Sequence, residues 1–294
     1  MAPTRARTTS VPTSADPRPK DEELDLFGLT HPGKVRSENQ DQFLLCTVHP
    51  QVVIHGTSLP KPDALPLRGQ RLATIMLVAD GVGGGTAGGE ASQLAVETIT
   101  RYVATTLRCY HAAGTSGEEE FLTALRAAAL EAHTAVREAG RIDAKKRATT
   151  LTLGIFVWPW LYVLQVGDSR CYYYWDGELR QVTQDQTMAQ DLVARGALPP
   201  ERVASSPFSH VLVSAIGAAE ATPVVSRIDI RQRGCVLLFC SDGLTKHVSD
   251  AEIAEQLGKM ESAEQVCRAL LTLALERGGS DNITVVAGRA PPAA

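Results

Sequence analysis

Short apolar runs recur along the chain at intervals that no helical bundle would produce. "LDLFGLT", "QFLLCTV", "LATIMLVA", "TLTLGIFV", "LYVLQV", "CYYYW", "VVSRIDI", "CVLLFC" and "NITVVAG" are each of strand length, and many alternate or are β-branched. The most apolar stretch, Leu151 to Val166, is interrupted by Pro159 in "WPW", which predicts two buried strands joined by a tight turn. Helical spacing is confined to 88–107, where Ala91, Leu94, Ala95, Ile99, Tyr102 and Val103 share a face, and to 118–139, 186–196, 249–258 and 261–276. Strands therefore dominate, with helices inserted in pairs. Residues 49–71, with four prolines, read as a long loop between two strands.

A chain of 294 residues, 44% hydrophobic, can bury one substantial core, and a single domain over residues 23–290 is expected. The first 22 residues, rich in Pro, Ser, Thr and charge, bury too little to offset ordering and are expected to form a disordered tail. A net charge of -4 offers no basic face for nucleic acid, and no apolar run approaches the roughly 20 residues that span a bilayer. The N-terminus lacks the apolar core of a signal peptide, and the six cysteines form no C-x-x-C pair. Reduced thiols in a cytoplasmic protein are the simpler reading. None of the six stands five residues ahead of an arginine, which excludes a phosphate-cradling cysteine nucleophile.

The stretch "LVADGVGGGTAGGEAS" raises a rival possibility. Gly83, Gly85 and Gly88 match G-x-G-x-x-G between a strand and a helix, the fingerprint of a dinucleotide loop. A Rossmann unit then needs a parallel strand, whereas here a loop and a second amphipathic helix follow. Asp80 also places a carboxylate where a pyrophosphate would lie. A dinucleotide oxidoreductase is thereby disfavoured.

Asp80 belongs to a recurring pattern. Apolar strands run into an acid and a turn at Asp80, Asp168 and Asp242, and Asp41 and Asp281 directly precede strands. Each alone is an ordinary turn or capping residue. Converging in space, five carboxylates would repel one another and protonate unless divalent cations kept them ionised. Oxygen ligands alone select hard ions, Mg²⁺ or Mn²⁺, over zinc.

In order along residues 26–288, "VRSENQDQF", "VADGVGGGTAGGEAS", "ATTLTLGIF", "LYVLQVGDSR", "LVSAIG", "LLFCSDGL" and "SDNITVV" resemble the PPM-type, metal-dependent protein serine/threonine phosphatases (type 2C), in their bacterial form. The resemblance implies an α+β fold, a four-layer α/β/β/α sandwich of two antiparallel sheets flanked by helix pairs. It implies hydrolysis of phosphoserine and phosphothreonine by water at two Mn²⁺ or Mg²⁺ ions, without a phosphoenzyme. Asp80 would bridge the ions, the Gly81 carbonyl would bind one, and Asp242 and Asp281 the other. Arg36 would grip the phosphate through its planar fork, and Asp41 would orient water. The glycines would bring the backbone close to the metals, with Glu90 and Ser92 as first-turn helix residues. Residues 185–210 would form a mobile flap that shapes substrate choice. The expected partners are phosphoproteins, the substrates of a cognate serine/threonine kinase, and the expected state is a monomer.

Three positions depart from the family pattern. Gln40 stands where many members carry Glu, so an amide replaces a charge near the ions. Val82 stands where animal members carry a histidine, leaving water to protonate the departing oxygen. Many bacterial members hold a third ion between the Asp of "GDSR", here Asp168, and an Asp four residues after that of "SDGL", here Lys246. Lys246 either pairs with Asp168 in place of that ion or points to solvent. Were these departures to silence the site, the chain would act as a phosphoprotein-binding regulator.

Overall fold

The computed structural model describes residues 18–292, except 56, 59, 62–64, 84, 85, 114–116 and 143. In chain order the elements are β1 (Asp25–His31), β2 (Gln42–Val48), β3 (Ala73–Ala79), β4 (Gly81–Val82), α1 (Ala87–Ala113), α2 (Glu118–Ile142), β5 (Ala148–Thr149), β6 (Leu151–Val157), β7 (Trp160–Val166), β8 (Arg170–Trp175) and β9 (Glu178–Gln181). They continue with α3 (Met188–Ala194), β10 (Val224–Asp229), β11 (Val236–Cys240), α4 (Asp242–Thr245), α5 (Asp250–Gly258), α6 (Ala263–Glu276) and β12 (Ile283–Arg289).

Two five-stranded antiparallel sheets result, ordered β1-β12-β11-β8-β9 and β10-β7-β6-β3-β2. Alternation along the strands explains why they stack. In β3, Ile75, Leu77 and Ala79 face the helices α1 and α2, whereas Met76 and Val78 face the other sheet. In β11, Leu238 and Cys240 face α4, α5 and α6, whereas Leu237 and Phe239 point between the sheets. Both faces of each central strand are thus buried, giving the expected four layers. Gly154 within β6 has a packing reason: a Cβ there would lie 2.4 Å from the Phe239 ring, whose complete burial stabilises the fold by about 2 kcal/mol.

Helices α1 and α2 extend beyond the periods read from sequence, to residues 113 and 142, and β9 and the four-residue α4 are additional. The loop 49–71 carries only an isolated bridge, Gln51 to Arg68, among its described residues. The expected tail lies outside the described residues through position 17. Its last residues are instead tied down: Asp21 pairs with Arg71 at 2.6 Å and opens a one-turn 3-10 helix, so the ordered chain starts earlier than residue 23. Arg71 is nearly buried, and pairing is what lets its charge stay there.

Candidate active site

Strand register brings the acids together. Gln42 pairs with Ala79, so Asp41, one residue before β2, sits beside Asp80, one residue after β3. In the other sheet Cys240 pairs with Val285, which sets Asp242, at the start of α4, against the segment Asp281–Asn282 that enters β12. Asp168 occupies the turn between β7 and β8 at the same edge. Antiparallel pairing alone therefore converts five acids scattered over 240 positions into one cluster. Four of them line a cleft of about 780 Å³ whose walls include Arg36, Glu38, Gln40, Asp80, Gly81, Val82, Asp168, Asp242, Lys246 and Asp281, and Asp41 is buried behind it.

Hydrogen bonds lock the backbone around the acids. The amide of Asp80 donates to Thr150 Oγ1 (2.9 Å), and its carbonyl accepts from Thr149 Oγ1 and the Thr150 amide (both 2.8 Å). Ser241 Oγ and Thr284 Oγ1 both donate to Asp41 Oδ2 at 2.7 Å, which ties the two sheets together at the acid. Asn282 accepts from the Gln40 amide (2.8 Å) and donates to the carbonyls of Pro32 and Glu38. Sequence reading did not single out Ser241, Thr284 or Asn282; polar residues where an apolar strand begins or ends were the available signal.

The glycines serve close approach. A Cβ on Gly81 would lie 2.4 Å from the Gly88 carbonyl oxygen, and one on Gly88 2.5 Å from Gln40 Oε1. The helix α1 thus starts against the strand end that carries Asp80, and Ser92 Oγ donates to the Gln40 carbonyl (2.6 Å). Gly85 lies outside the described residues. Glu90 is a helix residue of the first turn, as expected, and pairs with Arg147.

Electrostatics make the cluster unusual. Asp80 is held well above the ordinary carboxylate range, first by desolvation and then by repulsion from Asp41, Asp242, Asp168 and Asp281. Desolvation raises Asp168 to about 8, with Asp242 and Asp185 adding to it and Lys246 opposing. Asp41 is raised to about 6 by desolvation, which outweighs its bonds to Ser241 and Thr284. Asp281 goes the other way: burial would raise it, but hydrogen bonds from Arg36 and Lys246 hold it below the usual range.

Arg36 stands at the cleft rim, its side chain 56% exposed, and its Nε and Nη2 donate to the two oxygens of Asp281 at 2.8 and 3.0 Å. Its fork thus faces the site while already engaged with a carboxylate. Lys246 corrects both sequence alternatives. It neither points to solvent nor forms its close contacts with Asp168: Nζ lies 2.7 Å from Asp242 and 2.8 Å from Asp281. The reason is local, since four positions along one helical turn set its stem above Asp242. His210 lines the cleft and is the residue of the 185–210 segment that does so. That segment is anchored at its start by Asp185, which pairs with Arg170 at 2.7 Å.

The residues suit hard divalent ions. The donors are all oxygen, three of the acids are held above their ordinary range by burial and mutual repulsion, and Asp41 Oδ1 is buried without a hydrogen-bond partner. Among the described residues no three acids, histidines or cysteines yet stand close enough together to hold an ion, and Asp242 and Asp281 are drawn onto the Lys246 ammonium.

The protein phosphatase 2C profile matches residues 55–277, most of the chain. The chain belongs to the protein phosphatase 2C family. It is 36% identical over 216 residues to the serine/threonine protein phosphatase PstP of Mycobacterium tuberculosis, covering 73% of this chain and 40% of PstP. The chain thus matches under half the length of that relative. The serine/threonine phosphatase stp of Listeria monocytogenes is 31% identical over 214 residues, 72% of this chain and 82% of stp. A crystal structure of the PstP catalytic domain in complex with two manganese ions superposes with a TM-score of 0.69 at 29% identity, over 91% of this chain and 98% of that one. The two-sheet sandwich is therefore that of protein phosphatase 2C.

Proposed function

We propose that residues 23–290 form one catalytic domain that hydrolyses phosphoserine and phosphothreonine in proteins, dependent on Mn²⁺ or Mg²⁺. The convergence of Asp80, Asp168, Asp242 and Asp281 on one cleft, with Asp41 buried behind them, carries this reading, because carboxylates so placed stay ionised together only when cations offset their repulsion. The manganese ions of the PstP catalytic domain support it.

Asp80, the Gly81 carbonyl, Asp242 and Asp281 would hold the ions, with Asp168 as a further ligand. When bound, such ions supply an activated water and neutralise charge building on the phosphoryl oxygens. The protein's own groups do the positioning. Asp41, its Oδ2 fixed by Ser241 and Thr284, presents its buried Oδ1 as the acceptor that orients the attacking water. Arg36 moves its fork from Asp281 onto the phosphate, exchanging one planar oxyanion for another. Lys246 keeps one positive charge on the Asp242 and Asp281 side of the cluster until an ion takes its place there. Val82 offers no proton to the departing serine or threonine oxygen, so solvent provides it. The protein acts in the cytoplasm as a monomer on the substrates of a cognate serine/threonine kinase.

Phosphate release from a phosphothreonine peptide, with Mn²⁺ and with chelator, tests the reading. Release restored by Mn²⁺ is expected. Binding of the phosphopeptide without turnover would instead identify a regulator, and turnover in chelator would refute the metal requirement.

A further inference from the structure

We propose that the basic groove running off the catalytic cleft binds the acidic stretch flanking the phosphorylated residue of a protein substrate; this rests on the phosphatase reading. The groove, about 650 Å³, is contiguous with the cleft: Val82, Gly83, Ala148, Ala218 and Ala219 line both. A polypeptide whose phosphate lies among the carboxylates can therefore continue over this lip without leaving the protein surface.

The groove's charge is what selects the partner. Arg137, Arg141, Lys145, Lys146 and Arg147 line it. The chain as a whole carries -4, yet the segment "RIDAKKR", 141–147, holds four cations against one acid. Helix C-termini favour cations, and part of this charge, at the end of α2, has such a structural use. Arg147 and Lys145 face Glu90, and Arg147 also donates to the Ala139 carbonyl. Arg137, Arg141 and Lys146 are exposed and make no ion pair or side-chain hydrogen bond among the described residues. Arg137 and Arg141 stand one turn apart on α2, with His133 one turn earlier, and burial together with the Arg137 charge holds that imidazole below its usual pKa. A positive potential is thus concentrated where structure does not require it.

The opposite wall is fixed. The Gly217 amide donates to His133 Nδ1 at 3.1 Å, and a Cβ on Gly217 would lie 2.4 Å from Val136 and 2.5 Å from the Arg147 carbonyl oxygen. The loop 217–219 is therefore pressed against α2, and the groove is a built channel in place of a loose surface. Its cations sit beyond the phosphate site, where they would meet residues next to the phosphorylated one.

The test uses two phosphothreonine peptides that share a core and differ in flanks of Glu or Gln. The wild type is compared with Arg137→Gln/Arg141→Gln/Lys146→Gln. We expect the wild type to show a KM about tenfold lower for the acidic peptide, as three exposed charge contacts allow, and the preference to shrink at high salt. The triple variant should lose the preference while hydrolysing p-nitrophenyl phosphate at the wild-type rate. Equal KM values in the wild type, or a preference that survives in the variant, overturn the proposal. A single-stranded RNA oligonucleotide that binds more tightly than the acidic peptide, and is released by the same substitutions, overturns the choice of partner. Failure of the phosphatase reading is separable: p-nitrophenyl phosphate would then be left intact by wild type and variant alike, whereas the groove is still read by fluorescence anisotropy of a labelled, unphosphorylated Glu-rich peptide.

Discussion

Replacing Lys246 by Met removes the ammonium and keeps most of the stem. In the wild type Nζ lies 2.7 Å from Asp242 and 2.8 Å from Asp281, with the side chains 21%, 17% and 20% exposed. At an effective dielectric near 20, each contact contributes roughly 6 kcal/mol of gross attraction, most of it offset by desolvation. Asp281 keeps Arg36, so Asp242 is the acid left without its counter-charge, which costs about 3–5 kcal/mol when fully buried and about 2 kcal/mol for a group that keeps nearly a fifth of its exposure. The metal-free variant should therefore melt roughly 5 °C below the metal-free wild type. Manganese should show the opposite preference. An ion that uses Asp242 and Asp281 must displace the ammonium in the wild type but not in the variant, so the same ~2 kcal/mol returns as about 30-fold tighter binding. Thermal melts in chelator and calorimetric titration with Mn²⁺ measure both halves. A metal-free variant as stable as the wild type, or an unchanged manganese affinity, would refute the idea that Lys246 is a tethered competitor for this position.

Asp80→Asn should lower phosphatase activity by at least about 10²-fold while leaving a cooperative melt, since it removes a direct ligand and not a core side chain; normal activity in either Asp80→Asn or Asp242→Asn would remove those residues from the centre. Arg36→Lys should behave much like Arg36→Ala in phosphopeptide kinetics, because an ammonium cannot reproduce the planar fork, and unchanged kinetics in both would cancel its role. Metal-free stability should fall as pH rises. Asp41 and Asp168 are raised, chiefly by desolvation, to about 6 and about 8, so the folded state keeps protons that the unfolded chain has already lost. That contribution is fully present below pH ~4 and disappears as pH rises through 6 and then 8. Asp168→Asn should flatten the upper part of this slope in melts recorded from pH 5 to 8, and an unchanged slope would count against the raised acid.

Much of the architecture was legible because sandwich strands announce themselves by length and alternation. "LATIMLVA" and "CVLLFC" are apolar on both faces, and both are central strands covered by a helix layer on one side and a sheet on the other. Elements that rely on context were not. β9, "ELRQ", is a polar edge strand that exists through pairing with β8, and α4 is a single turn whose residues have no room to show a period. Helix α1 continues beyond 107 through "RCYHAA", where no apolar stripe marks it.

The site divides along the same line. That Asp41, Asp80, Asp242 and Asp281 meet follows from strand ends plus antiparallel pairing, and both are visible in the order of the runs. What a side chain does once there depends on distances that spacing does not encode. Lys246 departs from the family pattern visibly in the sequence, but its target depends on where a flexible four-carbon stem reaches. The helical turn from Asp242 to Lys246 decides it, because an ammonium held one turn above an acid meets that acid first and gains a second at Asp281 for little further ordering. Asp281 then carries two cationic partners, Arg36 and Lys246, and is the acid of the cluster whose pKa is depressed. Asp80, Asp41 and Asp168 are raised first by burial and then by neighbouring carboxylates, Asp242 among them in every case. The cluster is thus asymmetric: one end is neutralised by the chain's own cations, and the other depends on a charge from outside. Ions should accordingly bind first at Asp80, where no side chain competes, and only afterwards on the side that Lys246 and Arg36 must yield.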